Sequence, residues 1–175
     1  NITLAHRGGR GELNLTGGLL DNSGLSVSVR QGALREATGV VNVCKGTLAA
    51  NMVTNYGATA WLNFNGGTLK ASANTCAFVN PSLTRVTVNG AYGPFAGGAT
   101  IDTAGKNVTI NAPLLAPVGD GIFGVTLADP GSGYVGAPYV MIEGGGGEGA
   151  TAVANMEDDG TGSGTYRVAG VTITN

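Results

Sequence analysis

The stretch Leu62–Ser72, with the sequence LNFNGGTLKAS, restricts the fold of this chain more than any other part of it. Leu62 and Phe64 share one face of an extended segment, two glycines interrupt that segment, and Leu69 then points inward between two polar neighbours. This pattern predicts strand, turn and strand, as in one rung of a stacked β structure. Weaker versions of the pattern lie at Gln31–Leu34, Lys45–Ala50 and Gly97–Thr103. The sequence therefore predicts an approximate repeat.

The glycine content and the low charge narrow the fold class. Glycine accounts for 32 of the 175 residues, whereas charged residues make up only 11% of the chain. Because disorder requires high charge and low hydrophobicity, this chain should fold. The glycines lack the triplet period of collagen. They separate short runs of Val, Thr, Leu and Ile, which indicates many tight turns between short strands. The composition therefore predicts an all-β fold with almost no helix.

Three further segments alternate apolar and polar residues, as a half-buried strand does. They are Leu25–Val29, Thr84–Asn89 and Asn107–Asn111. In each, the aliphatic side chains share a face and the polar side chains occupy the other. One such strand cannot bury its apolar face alone, and stacked neighbours supply the cover. The pattern therefore predicts a parallel β-solenoid.

A change in the sequence pattern marks a domain boundary near Gly119. Two prolines, Pro113 and Pro117, interrupt the strands just before it. We therefore predict β-solenoid rungs over residues 1–118 and a small glycine-rich β module over residues 119–175.

The second module contains a partial repeat. Its segment Gly124–Asp129 recurs as Gly170–Asn175, and the sequence stops partway through this second copy. This pattern is expected of an excerpt from a longer array. Between the two copies we predict strands at Ala137–Ile142 and Ala150–Met156, joined by a glycine-rich turn.

Two cysteines, Cys44 and Cys76, are predicted either to form a disulfide across neighbouring rungs or to be two buried thiols. They have no Cys-x-x-Cys spacing and His6 is the only histidine. A structural zinc site, which needs about four such ligands, is therefore not expected. The disulfide is the favoured alternative because both cysteines lie at edges between a turn and a strand.

No group of residues has the composition of a catalytic or cofactor site. His6 has no acid or nucleophile beside it, which favours an exposed turn. The glycines Gly144–Gly147 lack the lysine and the helix of a phosphate-binding loop. The acidic segment Glu157–Asp159 has the charge to hold calcium but matches neither an EF-hand nor the glycine-rich nonapeptide, which favours a solvated turn. We therefore predict a protein that is not an enzyme and has no cofactor.

The charge of the chain argues against two classes of partner. Its formal net charge is −2, and its basic residues form no cluster. Nucleic acid and anionic membranes attract basic clusters, so neither is expected as a partner. No apolar run approaches the roughly 20 residues of a membrane-spanning helix, and we expect no membrane insertion.

The rung Leu62–Ser72, together with Gly97–Ile110 (GGATIDTAGKNVTI), resembles the autotransporter-associated β-strand repeat family of large bacterial surface proteins. The resemblance implies a right-handed parallel β-helix that is exported to the cell surface or released, as a stalk, an adhesin or a passenger. The segments Gly124–Leu127 and Pro130–Tyr134 are similar to a module that recurs beside such repeats in very long secreted bacterial proteins. An extracellular or cell-surface location follows from this resemblance, and no catalytic residues do.

Three functional hypotheses remain open. The first is a structural protein whose solenoid stacks into a fibre or stalk, with copies of itself or neighbouring repeats of a longer chain as partner. The second is a polysaccharide-degrading β-helix, which needs paired carboxylates. The carboxylates available to it are scattered and lack basic neighbours: Asp102, Asp120, Asp129 and Glu143. The third is glycan binding by stacking on aromatic side chains. The candidates for that role are Tyr92, Phe95, Tyr134 and Tyr139.

Overall fold

A computed structural model describes residues 1–5, 9–24, 26–30, 37–92, 95–117, 121–122, 124–144 and 150–173. Every regular element in these ranges is a β-strand, which confirms the predicted all-β class. The chain divides into two compact units, Asn1–Pro117 and Val118–Asn175, next to the predicted boundary. Several residues singled out above lie outside the described ranges: His6, Leu25, Gln31–Leu34, Gly119, Asp120 and Gly145–Gly147.

The first unit consists of short strands joined by tight corners. In chain order these strands are β1 (Ile2–Leu4), β2 (Arg10–Leu15), β3 (Leu19–Asp21), β4 (Ser26–Arg30), β5 (Thr38–Val43), β6 (Thr47–Ala50), β7 (Met52–Tyr56), β8 (Thr59–Phe64), β9 (Thr68–Ala71), β10 (Thr75–Val79), β11 (Arg85–Val88), β12 (Ala91–Tyr92), β13 (Phe95–Ala96), β14 (Thr100–Asp102), β15 (Val108–Ile110) and β16 (Leu114–Leu115). All of them except β12 and β13 belong to three larger sheets.

Successive strands of the first unit alternate among these three sheets. Sheet A has the order β1-β4-β7-β10-β15, sheet B has the order β16-β11-β8-β5-β2, and sheet C has the order β14-β9-β6-β3. Every pairing within them is parallel. Each coil of the chain therefore adds one strand to sheet A, then one to sheet B, then one to sheet C. This arrangement is a parallel β-solenoid, as predicted.

One column of apolar side chains runs in register through each sheet. Sheet A contributes Ile2, Val27, Val53, Val79 and Ile110; sheet B contributes Leu13, Val41, Leu62, Val86 and Leu114; sheet C contributes Leu20, Leu48, Leu69 and Ile101. With the fully buried Phe64 and Phe78, the inner members of these columns form one core cluster. Since burial of each such side chain contributes about 1.5–3 kcal/mol, the columns are the main source of stability in the solenoid.

Glycines form the corner between sheets B and C. Gly66 has a φ of 100°, and a Cβ atom on Gly67 would lie 2.6 Å from Cγ1 of Val43. In the preceding coil, Gly46 has a φ of 121°. The N–H of Thr68 donates to the carbonyl of Gly46 at 2.8 Å, so the corners stack on one another. The glycine pair that marks the repeat is thus required by backbone conformation and by the close approach of successive coils.

An inserted hairpin contributes to the irregular spacing of the repeat. Strands β12 and β13 pair antiparallel between Gly90 and Gly97, and the N–H of Gly97 donates to the carbonyl of Gly90 at 3.4 Å. The N–H of Gly66 then donates to the carbonyl of Gly98 at 3.0 Å. The chain therefore returns to the stack after the hairpin, and the coil is completed by β14.

The second unit is built on an antiparallel hairpin of β17 (Ala152–Asp158) and β18 (Tyr166–Ile173). Strand β17 agrees with the strand predicted at Ala150–Met156. Isolated bridges place Tyr134 beside β18 and Tyr139 beside β17. The hairpin is therefore flanked by an extended segment on each side.

The predicted strand at Ala137–Ile142 is wrong, because only Tyr139 of that segment forms a bridge. Pro138 precedes it and has no N–H to donate to a ladder. The two copies of the sequence repeat also differ in structure: Gly124–Asp129 contains no strand, whereas Gly170 to Ile173 of the second copy lie in β18. Similar sequence thus produces different local structure here, because only the second copy has a hairpin partner.

Candidate functional sites

A ladder of buried polar side chains runs through sheet B, on the face opposite to its apolar column. The Nδ2 group of Asn63 donates to Oδ1 of Asn42 at 2.8 Å, and Nδ2 of Asn42 donates to Oδ1 of Asn14 at 2.7 Å. The hydroxyl of Thr87 donates to Oδ1 of Asn63. Asn42 and Asn63 are fully buried. Because buried polar groups are costly unless they are paired, this amide ladder fixes the register of the coils.

The amide ladder has a direction, since each of these donors faces the preceding coil. At its first position, Nδ2 of Asn14 has no acceptor among the described residues. At the far end, β16 places Leu115 in register with Thr87, so an apolar side chain follows the last polar one. The two ends of the ladder are therefore chemically different.

Edge strands leave unpaired backbone groups at both ends of the described solenoid. Strands β1, β2 and β3 are outermost at one end, and β14, β15 and β16 are outermost at the other. Exposed apolar side chains accompany them: Leu19 is 64% exposed in β3, and Leu114 and Leu115 are 44% and 41% exposed in β16. Edges of this kind readily accept further strands.

The predicted disulfide between Cys44 and Cys76 does not form in the structure, and both residues are free thiols. Cys44 follows β5 of sheet B and is buried, whereas Cys76 lies in β10 of sheet A and is exposed. Cys76 lies in sheet A and the strand before Cys44 lies in sheet B, so stacking does not bring the two side chains together. The alternative of two buried thiols is correct for Cys44 alone.

Cys44 lies beside buried polar atoms. The Nδ2 group of Asn65 donates to Sγ of Cys44 at 3.8 Å, and burial raises the pKa of the Cys44 thiol. The Oδ1 atom of the same Asn65 is buried without a hydrogen-bond partner in the described part of the chain. A buried thiol with a raised pKa stays protonated and unreactive, which argues against a catalytic role.

The two tyrosines predicted to contact glycan lie on opposite faces of the second unit. The bridges pair Tyr134 with Tyr166 and Tyr139 with Val153. The hairpin pairs Tyr166 with Asp158, and directly paired residues share a face. Because Val153 and Asp158 are an odd number of residues apart on β17, they face opposite sides. Tyr134 and Tyr139 therefore cannot form one surface.

Tyr166, which is not among the candidates from the sequence, lies beside Tyr134 instead. The N–H of Tyr134 donates to the carbonyl of Tyr166 at 3.0 Å, and the reverse bond measures 2.9 Å. Tyr166 is 39% exposed and Tyr139 is 57% exposed. A Cβ atom on Gly131 would lie 2.7 Å from Oη of Tyr134, so the ring of Tyr134 covers that glycine. The other aromatic candidate with a described side chain, Phe95, lies in the inserted hairpin of the first unit.

The carboxylate of Asp159 accepts hydrogen bonds from its own turn and from the segment before the hairpin. It accepts the hydroxyls of Thr165 and Thr161, each at 2.7 Å, and the N–H groups of Thr161 at 3.0 Å and Gly133 at 3.1 Å. These bonds, led by that of Thr165, hold the pKa of Asp159 far below its usual range. In the described ranges, no three His, Cys, Asp or Glu side chains come close enough to hold a metal ion. We call this arrangement the Asp159 clasp.

Two of the carboxylates considered for glycan hydrolysis, Asp102 and Asp129, have local roles. Asp102 lies 3.8 Å from Nζ of Lys70 and accepts the N–H of Ala104 at 2.8 Å. Asp129 accepts the N–H of Gly131 at 2.8 Å. Both therefore stabilise turns, while Glu143 is exposed. Asp120 lies outside the described residues.

An open cleft of about 530 Å³ lies beside the first residues of β10 and β15 and the residues that precede them. Its lining residues are Asn74, Thr75, Cys76, Thr103, Lys106, Asn107, Val108 and Thr109. The lining contains a thiol and an ammonium group but no carboxylate. The cleft therefore lacks the acid and base that glycan hydrolysis requires.

Comparison of the chain with protein-family models, with curated proteins and with solved structures found no significant match. Within the described ranges, the chain has no helix with the length and apolar character needed to cross a membrane.

Proposed function

We propose that this chain is a structural module of a bacterial surface or secreted protein, in which further β-solenoid coils extend the first unit at its ends. One observation supports the proposal above all: the apolar columns continue in register to the edge strands. At one end the columns finish in Ile2, Leu13 and Leu20, and at the other they finish in Ile110, Leu114 and Ile101. A further coil in the same register would cover these side chains and pair the free strand edges.

The energetic argument for added coils combines the backbone and the side chains. An exposed strand edge carries unpaired N–H and C=O groups that another strand can satisfy. At the same edges, Leu19, Leu114 and Leu115 expose apolar surface, and full burial of one such side chain contributes about 1.5–3 kcal/mol. Both contributions favour the addition of a parallel coil.

Such a coil could come from an identical copy of this chain or from a neighbouring repeat of a longer chain. The amide ladder distinguishes between these two sources. Nδ2 of Asn14 requires a side-chain acceptor in register on the strand that covers β2. The far end of an identical copy presents Leu115 at this position, which would leave the amide unpaired at a cost of about 1–3 kcal/mol. A neighbouring repeat with Asn or Thr at this position provides the acceptor. We therefore favour neighbouring repeats of a longer chain over a homopolymer.

An extracellular or cell-surface location is part of this proposal. The resemblance of the rung Leu62–Ser72 to autotransporter-associated repeats supports it. Stacked coils add length while they keep the same cross-section, which suits a stalk or a fibre with a mechanical or adhesive role.

Analytical ultracentrifugation and negative-stain electron microscopy of the purified chain test the proposal. The unmodified chain should remain largely dispersed. Leu115→Asn supplies the missing acceptor and should produce end-to-end rods at concentrations where the unmodified chain stays dispersed. Leu115→Ala is the matched control, because it removes the same leucine without adding an acceptor, and it should also remain dispersed.

A second substitution tests whether the amide ladder causes the rods to form. Asn14→Ala combined with Leu115→Asn should abolish the rods, because the donor is then missing. Regular filaments of the unmodified chain would show that identical copies stack and would overturn the preference for neighbouring repeats. If no variant associates at any concentration, the addition of coils at these ends is wrong.

A further inference from the structure

A row of three side chains crosses one face of the second unit. Asp158 is paired with Tyr166 across the hairpin, and Tyr166 is paired with Tyr134 on its other side. Directly opposed residues of antiparallel strands share a face, and at hydrogen-bonded positions their Cα atoms lie about 5.5 Å apart. The side chains of one aspartate and two tyrosines therefore extend from neighbouring strands on the same face, with the ring of Tyr134 lying against Gly131.

We propose that this Asp158–Tyr166–Tyr134 row binds a neutral glycan. A sugar ring has apolar C–H faces and a rim of hydroxyl groups, and tyrosine offers a flat apolar ring together with a polar tip. A carboxylate is a strong acceptor for the hydroxyl groups of a ligand. The row thus combines a stacking surface with an acceptor, and this inference does not depend on the structural role proposed for the solenoid.

Two groups of the row, Tyr166 and Asp158, are exposed to a ligand, and Tyr134 is half-buried. Tyr166 is 39% exposed, and Asp158 is exposed at the end of β17. Oδ1 of Asp158 accepts the N–H of Gly160 at 2.8 Å, whereas its other oxygen has no hydrogen-bond partner in the described part of the chain. That oxygen remains available for a sugar hydroxyl.

Hydrogen bonds hold the row in place without a ligand. The reciprocal backbone bonds between Tyr134 and Tyr166 hold the backbones of the two tyrosines next to each other. The N–H of Val168 donates to the carbonyl of Pro130 at 3.0 Å, and the Asp159 clasp holds the N–H of Gly133. Because the site is already ordered, binding loses less conformational entropy.

The charge around the row selects an uncharged ligand. In residues 129–134 and 157–167, Arg167 is the one cation, and it pairs with Glu157 at 2.7 Å. The remaining charges of these segments are negative: Asp129, Asp158 and Asp159. An acidic polysaccharide would be repelled, whereas a neutral one would not.

Isothermal titration calorimetry of the full chain with dextran, mannan and cellohexaose tests the proposal. We expect binding to at least one of these glycans, and Tyr166→Ala should weaken it by about tenfold, the effect of losing one stacked ring. Tyr166→Phe keeps the ring and should retain most of the affinity, while Asp158→Asn should reduce it by a smaller factor. Tyr139→Ala is the matched control, since Tyr139 is an exposed tyrosine on the opposite face and its removal should leave binding unchanged.

Nuclear magnetic resonance of the unmodified chain provides a test that does not depend on how a variant folds. Added glycan should shift the ring signals of Tyr134 and Tyr166 and leave those of Tyr139 in place. No binding of any of the three glycans at millimolar concentration would overturn the proposal, as would an equal loss of affinity in Tyr139→Ala. The association of the Leu115 variants is measured separately, so the two proposals can fail independently.

Discussion

The solenoid and the second unit of this chain are stabilised in different ways. Among the described residues of the second unit, the buried apolar side chains are Ala152 and Val168, and the rest of the buried apolar core belongs to the solenoid. Several large apolar side chains of the second unit are instead exposed: Ile122, Val125, Val135, Tyr139, Met141, Val153 and Tyr166. The second unit depends more on hydrogen bonds around its hairpin, most of all on the Asp159 clasp.

The difference follows from the geometry of the two architectures. An inner coil of the solenoid is covered above and below, so each inward side chain of sheets A, B and C meets a similar one in the next coil. The hairpin β17–β18 has two strands, and a two-stranded ribbon buries little apolar surface. The solenoid should therefore respond most to changes in its core, and the second unit to changes in its polar turn.

The largest effect is expected from Phe64→Ala in the solenoid core. Phe64 has no exposed surface, and its truncation should lower the free energy of unfolding by about 3–5 kcal/mol. Tyr56→Ala is the matched aromatic control in the same unit, at a side chain that is 52% exposed. Urea unfolding of both variants measures the difference. Similar losses in the two would contradict the idea that the columns supply the stability.

A smaller loss is expected when the amide ladder is interrupted. Asn63→Ala removes the hydrogen bond that Asn63 donates to Asn42 and the one that it accepts from Thr87, and the loss of these two buried bonds should together cost about 3 kcal/mol. The control is Asn155→Ala in the second unit, where Nδ2 of Asn155 donates to Oγ1 of Thr172 at 2.8 Å on an exposed surface. That change should cost less than about 1 kcal/mol. Equal costs would show that the ladder is not effectively buried.

The next effect concerns the glycine corner. A Cβ atom on Gly67 would lie 2.8 Å from the carbonyl oxygen of Val43, and a Cβ atom on Gly98 would have no neighbour within 4 Å. Gly67→Ala should therefore destabilise the solenoid by about 1–3 kcal/mol, and Gly98→Ala by less than about 0.5 kcal/mol. Thermal unfolding of the two variants provides the comparison. If Gly98→Ala proves the more damaging, the corner geometry is wrong.

Local pattern predicted the strands of the solenoid better than it predicted their spacing. The pattern around the glycine pair after Phe64 predicts one corner but does not predict the equivalent corner at Gly17 and Gly18, although Leu20 lies in register with Leu48. Successive residues of the amide ladder are 28, 21 and 24 positions apart. Corner loops of different length absorb this variation, so the register is regular in space and irregular in sequence.

Contacts between distant segments could not be predicted from the pattern at all. Tyr134 and Tyr166 come together because a segment of the second unit pairs with the edge of β18. The residues around Tyr134 and those around Tyr166 carry no pattern that predicts this pairing. Cys44 and Cys76 both lie where a turn meets a strand, but Cys44 follows a strand of sheet B and Cys76 lies in a strand of sheet A. A pattern identifies a strand and its faces, whereas the sheet to which it belongs depends on the whole stack.

The smallest effect we predict is an acid sensitivity confined to the second unit. The hydroxyls of Thr165 and Thr161 lower the pKa of Asp159 from an ordinary value of 3.8. Because the pKa in the folded state is lowered, the stabilisation by the carboxylate is fully present above that ordinary value. It should be lost only as the pH falls below 3.8 towards the folded pKa, and the N–H of Gly133 should then lose its acceptor.

Amide spectra recorded as the pH is lowered can test this behaviour residue by residue. The signals of Gly133 and Thr161 should stay constant through the pH range in which an ordinary aspartate titrates and should move at lower pH, ahead of those of the solenoid core. Asp159→Asn cannot ionise and should remove this movement while the solenoid signals are unchanged. If the Gly133 signal instead moves near pH 3.8, the carboxylate of Asp159 is an ordinary solvated one. The contrast between a unit held by its core and a unit held by a polar clasp would then have to be abandoned.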